Sequence, residues 1–182
     1  MDSCLDQLIA QLLPLNVKLI IRPHPQYVRL YPKRIRDLTT RYHDQWSEDF
    51  VLQTDFSSTE TVYTSDLVIS DWSNVAYEFA FSTFKPVLYI NTPMKILNPE
   101  YDRIDIVPFD IRIRSQLGAK LELDELDRVA ETAQRLLHTP DEYRKIIQAV
   151  KEKEFYNIGH GAEAAGRYII HRLQKKATLK QQ

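Results

Sequence analysis

Two hydrophobic rhythms alternate along this chain. Leu5, Leu8, Ile9, Leu12 and Leu13 recur at helical spacing and predict an amphipathic helix over residues 2–13. Short continuous apolar runs follow at 17–21, 50–53, 67–70 and 87–90, each closed by turn residues. Runs of this length fit strands covered on both faces. Between them the pattern predicts helices over 32–42, opening at Pro32 where proline is tolerated, over 58–65 and over 75–83. A last strand is expected at 104–108. Helices are then expected at 124–137, 140–154 and 162–173, with Asp124 and Asp141 placed where a helix start favours negative charge.

Strands and helices alternating at this spacing call for right-handed βαβ units. The predicted fold is α/β: a doubly wound, mainly parallel, Rossmann-like sheet flanked by helices and closing with C-terminal helices. With 182 residues and 43% hydrophobic content, one core is expected, in a single domain over 1–174 with a polar, disordered tail at 175–182.

Charge modifies this picture locally. The net charge of -1 gives no general attraction to nucleic acid or to an anionic membrane. Its distribution is uneven, because Lys18, Arg22, Arg29, Lys33, Arg34, Arg36 and Arg41 fall close together. Such a patch suits an anionic ligand, and a solvated helix face explains most of it equally well. The single Cys4 excludes an internal disulfide and fits a reducing compartment. The first residues lack the basic region of a signal peptide, and no run reaches the length of a membrane span.

Candidate chemistry gathers at two strand ends. The strand at 67–70 runs through Ser70, Asp71, Trp72, Ser73 and Asn74 directly into a helix. Ser73 or Asn74 can cap that helix, and its unpaired amides favour a phosphate or diphosphate. Glu78, one turn along, is placed to reach back to a ribose or glycerol hydroxyl. Ordinary capping accounts for the same residues without a ligand. The strand at 17–21 ends in Arg22-Pro23-His24-Pro25, where two prolines stiffen the loop that carries the imidazole. Arg22 offers a planar fork for phosphate and His24 a donor near neutral pH. Alternatively His24 caps a neighbouring backbone group. Thr59 and Glu60, at the start of the predicted helix 58–65, form a second candidate set for nucleotide contacts. Lys95, in the loop over 91–102, is a further candidate for phosphate.

Taken together, Arg22-Pro23-His24-Pro25 after an apolar strand and Ser70-Asp71-Trp72-Ser73-Asn74 before a helix with Glu78 resemble the C-terminal half of the CDP-glycerol glycerophosphotransferases. The resemblance continues through Lys85-Pro86-Val87-Leu88-Tyr89-Ile90, Asn98-Pro99-Glu100-Tyr101 and the segment 156–165. The chain departs from the teichoic-acid branch at Trp72, Asn74 and Glu78, where Tyr, Ser and Asp are usual, and at Thr92-Pro93-Met94-Lys95. The resemblance implies the donor-binding half of a glycosyltransferase B fold, preceded in the family by a strand and an acceptor-binding half. It implies transfer of glycerophosphate from a cytidine diphosphate alcohol to a teichoic-acid-type polymer, with Arg22 and His24 as the catalytic pair. It further implies a cytoplasmic enzyme, with peripheral membrane association left open for the full-length protein. A sugar-nucleotide transferase or epimerase half of the same fold is the alternative, and a noncatalytic module binding an anion or a partner is a second.

Other chemistries lack support in the sequence. His24, His43, His138, His160 and His171 show no metal-ligand spacing, so no metal is expected. Neither a Gly-x-Ser-x-Gly elbow nor a Gly-rich phosphate loop occurs, and four glycines leave little room for one. No cofactor is expected.

Overall fold

The computed structural model describes residues 4–94, 98 and 100–179. Its strands are β1 (Leu19–Ile21), β2 (Phe50–Leu52), β3 (Val68–Ser70), β4 (Val87–Asn91) and β5 (Gly118–Glu122). The helices are α1 (Leu5–Leu12), α2 (Pro25–Leu30), α3 (Pro32–Arg41), α4 (Glu60–Thr64), α5 (Val75–Thr83), α6 (Phe109–Leu117), α7 (Val129–His138), α8 (Pro140–Glu154) and α9 (Gly161–Leu179). All strand pairs are parallel: β1 with β2, and β3 with β4 with β5. The architecture is therefore α/β with short parallel sheets between helices, consistent with a Rossmann-like fold. The expected single doubly wound sheet is divided into a two-stranded and a three-stranded sheet.

Strand β4 shows why the layers form. Val87 and Tyr89 join a core with Ala76, Phe79 and Ala80 of α5, Ile113 and Leu117 of α6, and Ile147 of α8. Leu88 and Ile90 point the other way, into a core with Leu12 of α1 and Val129, Ala133 and Leu136 of α7. The period of two along the strand thus buries both faces, as the unbroken apolar run requires. A third core joins Ile9, Ile21 and Phe50, with Trp46 stacked on Phe50 at 4.3 Å.

Several expectations need correction. Residues 104–108 form no strand; Ile104, Ile106 and Val107 are exposed, and the segment leads to Pro108. The strand that completes the sheet is β5, preceded by α6. The Ile111-Arg112-Ile113-Arg114 stretch conceals that helix because it alternates like a strand, yet Ile113, Arg114 and Leu117 share one buried helical face. Helix α2 follows Pro25 where only a connection was foreseen, since His24 caps it. The predicted 124–137 helix is a 3-10 segment over Leu123–Arg128, opened by a capping box between Glu122 and Glu125, before α7. Finally, α9 continues to Leu179, beyond the expected start of a disordered tail; residues 180–182 lie outside the described residues.

Candidate functional site

The carboxyl ends of β1 and β3 open into one cleft of about 2200 Å³. Winding from β1 proceeds to β2 on one side, and from β3 through β4 to β5 on the other. The two sheets do not join, and the cleft takes lining residues from the carboxyl ends of both β1 and β3, the end of parallel strands at which ligands collect.

Its first wall is the Arg22–Pro25 loop. His24 takes the cap position of α2, and its Nδ1 accepts a hydrogen bond from the Gln26 amide (3.1 Å). The proton of the neutral ring is therefore on Nε2, which becomes the donor on an exposed side chain lining the cleft. The capping reading of His24 holds, and the cap leaves Nε2 unengaged. Arg22 is engaged by the protein: Nη1 donates to Gln53 Oε1 (2.8 Å) and Thr61 Oγ1 (3.2 Å), and Nη2 to the Ser58 carbonyl (2.9 Å). It ties the end of β1 to the loop before α4, beside the Phe56 ring.

The second wall is the turn from β3 into α5. Asn74 stands at the cap position with helical torsions and makes no side-chain cap bond, while the Ser73 carbonyl accepts from the Ala76 amide (3.2 Å). The foreseen side-chain cap is absent at Asn74; the Ala76, Tyr77 and Glu78 amides donate to the Ser73 and Asn74 carbonyls, which leaves the Val75 amide of the first turn of α5 to a ligand. Trp72 holds the turn, donating its indole N–H to the Thr92 carbonyl (2.7 Å).

Beneath Trp72 lies Arg114, a residue to which sequence reasoning gave no role. Its guanidinium carbon sits 3.8 Å from the Trp72 ring centroid and 4.5 Å from that of Tyr89. At 1% exposure it is a fully buried cation held between two aromatic faces. Nη2 donates to Asn91 Oδ1 (2.9 Å), and Asn91 Nδ2 donates to Glu122 Oε1 (2.5 Å). Nε, Nη1 and the Tyr89 hydroxyl have no partner among the described residues. Burial pushes the Arg114 pKa down and that of Tyr89 up. The sequence signal was a lone arginine on the apolar face of a helix, which a strand-like reading of the segment hides.

Of the predicted site residues, Arg22, His24, Glu60, Ser70, Asp71, Ser73 and Asn74 line the cleft together. Thr59 and Glu78 do not; Glu78 is exposed on α5 outside the lining. Lys95 lies outside the described residues. Tyr27 of α2, Tyr31 between α2 and α3, and Arg34 of α3 also line the cleft; Arg34 belongs to the basic cluster of the sequence, whereas the two tyrosines were missed because 26–31 was left unassigned.

The chain matches no family model, no curated protein and no solved structure. Function therefore rests on the cleft itself. It combines an imidazole donor, the Val75 amide at the start of α5, and the carboxylates of Asp71 and Glu60 as hydroxyl acceptors. Among the described residues no cluster of three or more His, Cys, Asp or Glu could hold a metal ion. Nor is any described helix long and apolar enough to cross a membrane.

Proposed function

We propose that this chain is the donor-binding domain of a transferase acting on a nucleotide-diphosphate donor, with CDP-glycerol the donor that the sequence resemblance favours. One observation supports the reading: the Arg22–Pro25 loop and the Ser70–Asn74 turn, at the carboxyl ends of β1 and β3, line one cleft. In this scheme His24 Nε2–H and the Val75 amide at the start of α5 neutralise charge growing on the diphosphate. Asp71 and Glu60 accept hydroxyls of the ribose or the transferred alcohol, a role the position of Glu78 does not suit. Arg22 supports the loop through its bonds to Gln53, Thr61 and Ser58.

The reaction is an in-line displacement. An acceptor hydroxyl attacks the distal phosphorus, the bond from that phosphorus to the bridging oxygen breaks, and nucleoside monophosphate leaves. The acceptor proton passes to a general base, which we place on an acceptor-binding domain of the full-length enzyme. The isolated chain is accordingly expected to bind donor without turning it over.

The deciding experiment is a titration with CDP, CDP-glycerol, UDP and UDP-N-acetylglucosamine, followed by NMR shifts and thermal stabilisation. Selective stabilisation by the cytidine ligands supports the reading. Selectivity for uridine ligands would move the chain to the sugar-nucleotide branch, and silence from all four would count against a nucleotide site. His24 is tested by two variants. Asn can still accept from the Gln26 amide, so His24→Asn is expected to keep stability while weakening cytidine binding roughly tenfold, the worth of one hydrogen bond to a charged group. His24→Ala loses both, with a further cost of about 1 kcal/mol for the cap.

A further inference from the structure

One face of α2 carries more than the imidazole. His24 is the cap at the start of this helix, Tyr27 its third residue and Tyr31 the cap at its end. At i, i+3 and i+7 their side chains share one side of the helix, and all three line the cleft. With a rise of about 1.5 Å per residue, Tyr27 lies roughly 4.5 Å and Tyr31 roughly 10 Å along the axis from His24. That span matches the reach of a nucleotide from its phosphates, across the ribose, to its base.

The two rings meet with centroids 5.0 Å apart and planes tilted by 48°, so neither ring closes off the face of the other. Next along the wall, the Arg34 guanidinium lies over the Tyr31 ring, 5.0 Å from its centroid, and Arg34 lines the cleft as well. Three flat groups thus follow one another from His24 into α3. Burial separates them from the aromatics that hold the fold. Phe79 and Tyr89 are fully enclosed, and Trp46 stacks on the buried Phe50. Tyr31, by contrast, is 45% exposed, Tyr27 is half-buried, and neither belongs to any of the three cores. Open rings beside a cation on a cleft wall make a stacking surface.

We propose that Tyr27, Tyr31 and Arg34 form the platform on which the nucleobase of the donor stacks, with the phosphates at the His24 end of the same face. The chemistry of the wall selects this occupant. A sugar or polyol needs acceptors for its hydroxyls, and α2 presents no carboxylate; Asp71 and Glu60 stand on other segments of the cleft. A base offers a flat π-face to rings and guanidinium alike. The inference rests on the nucleotide-diphosphate reading above, but not on which nucleotide is bound. Every base has a π-face, so the platform contributes affinity without choosing cytosine over uracil.

The test titrates the full chain and its Tyr31→Phe and Tyr31→Leu variants with CDP, UDP and inorganic pyrophosphate. Because the Tyr31 ring is largely open to solvent, all three proteins are expected to melt together. Tyr31→Leu is expected to weaken binding of whichever nucleotide the parent takes by roughly tenfold, the worth of one stacked base, and to leave pyrophosphate unchanged. Tyr31→Phe keeps the ring and is expected to bind as the parent does. In the saturated parent complex, the base protons are expected to show Overhauser contacts to the ring protons of Tyr27 or Tyr31. Absence of those contacts, nucleotide binding that survives Tyr31→Leu, or an equal loss in Tyr31→Phe would each overturn the platform and leave the donor reading standing. A parallel loss of pyrophosphate would also overturn it, by tracing the effect to a disturbed loop. A parent that binds neither CDP nor UDP would overturn both.

Discussion

At the scale of single residues, Arg114 is the least ordinary choice in this molecule. A buried guanidinium with two nitrogens unpartnered among the described residues loses hydration that two aromatic faces and one amide oxygen only partly replace. Its value is positional: it sets the Trp72 ring, and through it the turn that opens α5. Arg114→Met, which keeps volume and removes the charge, is expected to leave stability within about 1 kcal/mol of the parent while loosening Trp72 and weakening ligand binding. Arg114→Ala leaves a cavity and is expected to cost about 2–5 kcal/mol. Urea unfolding and Trp fluorescence anisotropy separate these effects; an equal loss of stability in both variants would show that the cation itself carries the fold.

A second residue pair gives a pH signature. Tyr42 donates to Asp6 Oδ1 (2.7 Å), and Arg41 donates to the other oxygen of the same carboxylate. Burial first, and this hydrogen bond second, push the Tyr42 hydroxyl up to about 12. Because folding favours the neutral phenol, its contribution is complete below the ordinary value of 10.0 and disappears as pH rises towards about 12. Asp6 behaves oppositely. The Tyr42 bond holds its carboxyl below 3.8, so its contribution is present above that value and fades as pH falls through the lowered one. Tyr42→Phe is expected to raise the Asp6 titration midpoint, read from its carboxyl carbon by NMR. An unmoved midpoint would assign the Asp6 shift to Arg41 instead.

At the scale of elements, the sequence was legible where the hydrophobic period was strong and opaque where a single contact decides. Residues 75–83 and 140–154 are helices with the limits their patterns predict. The four apolar runs are strands, shortened by a residue or two at their ends except at β4, which runs one residue further. Of the candidate residues, the sequence pattern put the Arg22–Pro25 and Ser70–Asn74 loops at the strand ends that line one cleft, whereas Thr59 and Glu78 fall outside it and the partners of Arg22 were not legible. Strand β5 was not legible. Gly-Ala-Lys-Leu-Glu has little apolar content, and its placement depends on Gly118, whose missing side chain lets the strand lie against β4. A Cβ there would stand 1.8 Å from the Val87 carbonyl oxygen and 2.7 Å from the Val87 amide nitrogen. The torsions of Gly118 are extended and unstrained, so the demand is for space alone. Backbone cannot yield as a flexible side chain can, and Gly118→Ala is expected to destabilise by about 3 kcal/mol or more, at the upper end of overpacking costs. A variant with the parental urea midpoint would show that β5 can separate from β4 without loss.

At the scale of the whole molecule, the layers around β4 gather five of the helices, and the longest helix stands outside them. Helices α1 and α7 cover one face of β4, and α5, α6 and α8 the other, with α6 pinned to α8 by the two-pronged bond from Arg112 to Glu154 (2.8 and 2.9 Å). Helix α9 shares in neither core. Among its described side chains none is buried, and Tyr168, Ile169, Ile170 and Leu173 are all more than half exposed. Its stability therefore comes from its own ladder and from local pairs such as Arg167 with Glu163 (2.7 Å), each worth a few tenths of a kcal/mol. A helix that adds no burial adds no stability to the sheet. Removing residues 161–182 is accordingly expected to leave the melting temperature within about 2 °C of the parent, because a change of 1 kcal/mol would move a domain of this size by about 2–4 °C. The same truncation is expected to improve solubility, since it removes an exposed apolar stripe. Removal of α8 together with α9 differs in kind: it strips Ile147 and Val150 from the core and is expected to unfold the domain. Calorimetry on the two truncations reads the difference directly, and a large loss from the shorter deletion would show that α9 packs on the body in solution.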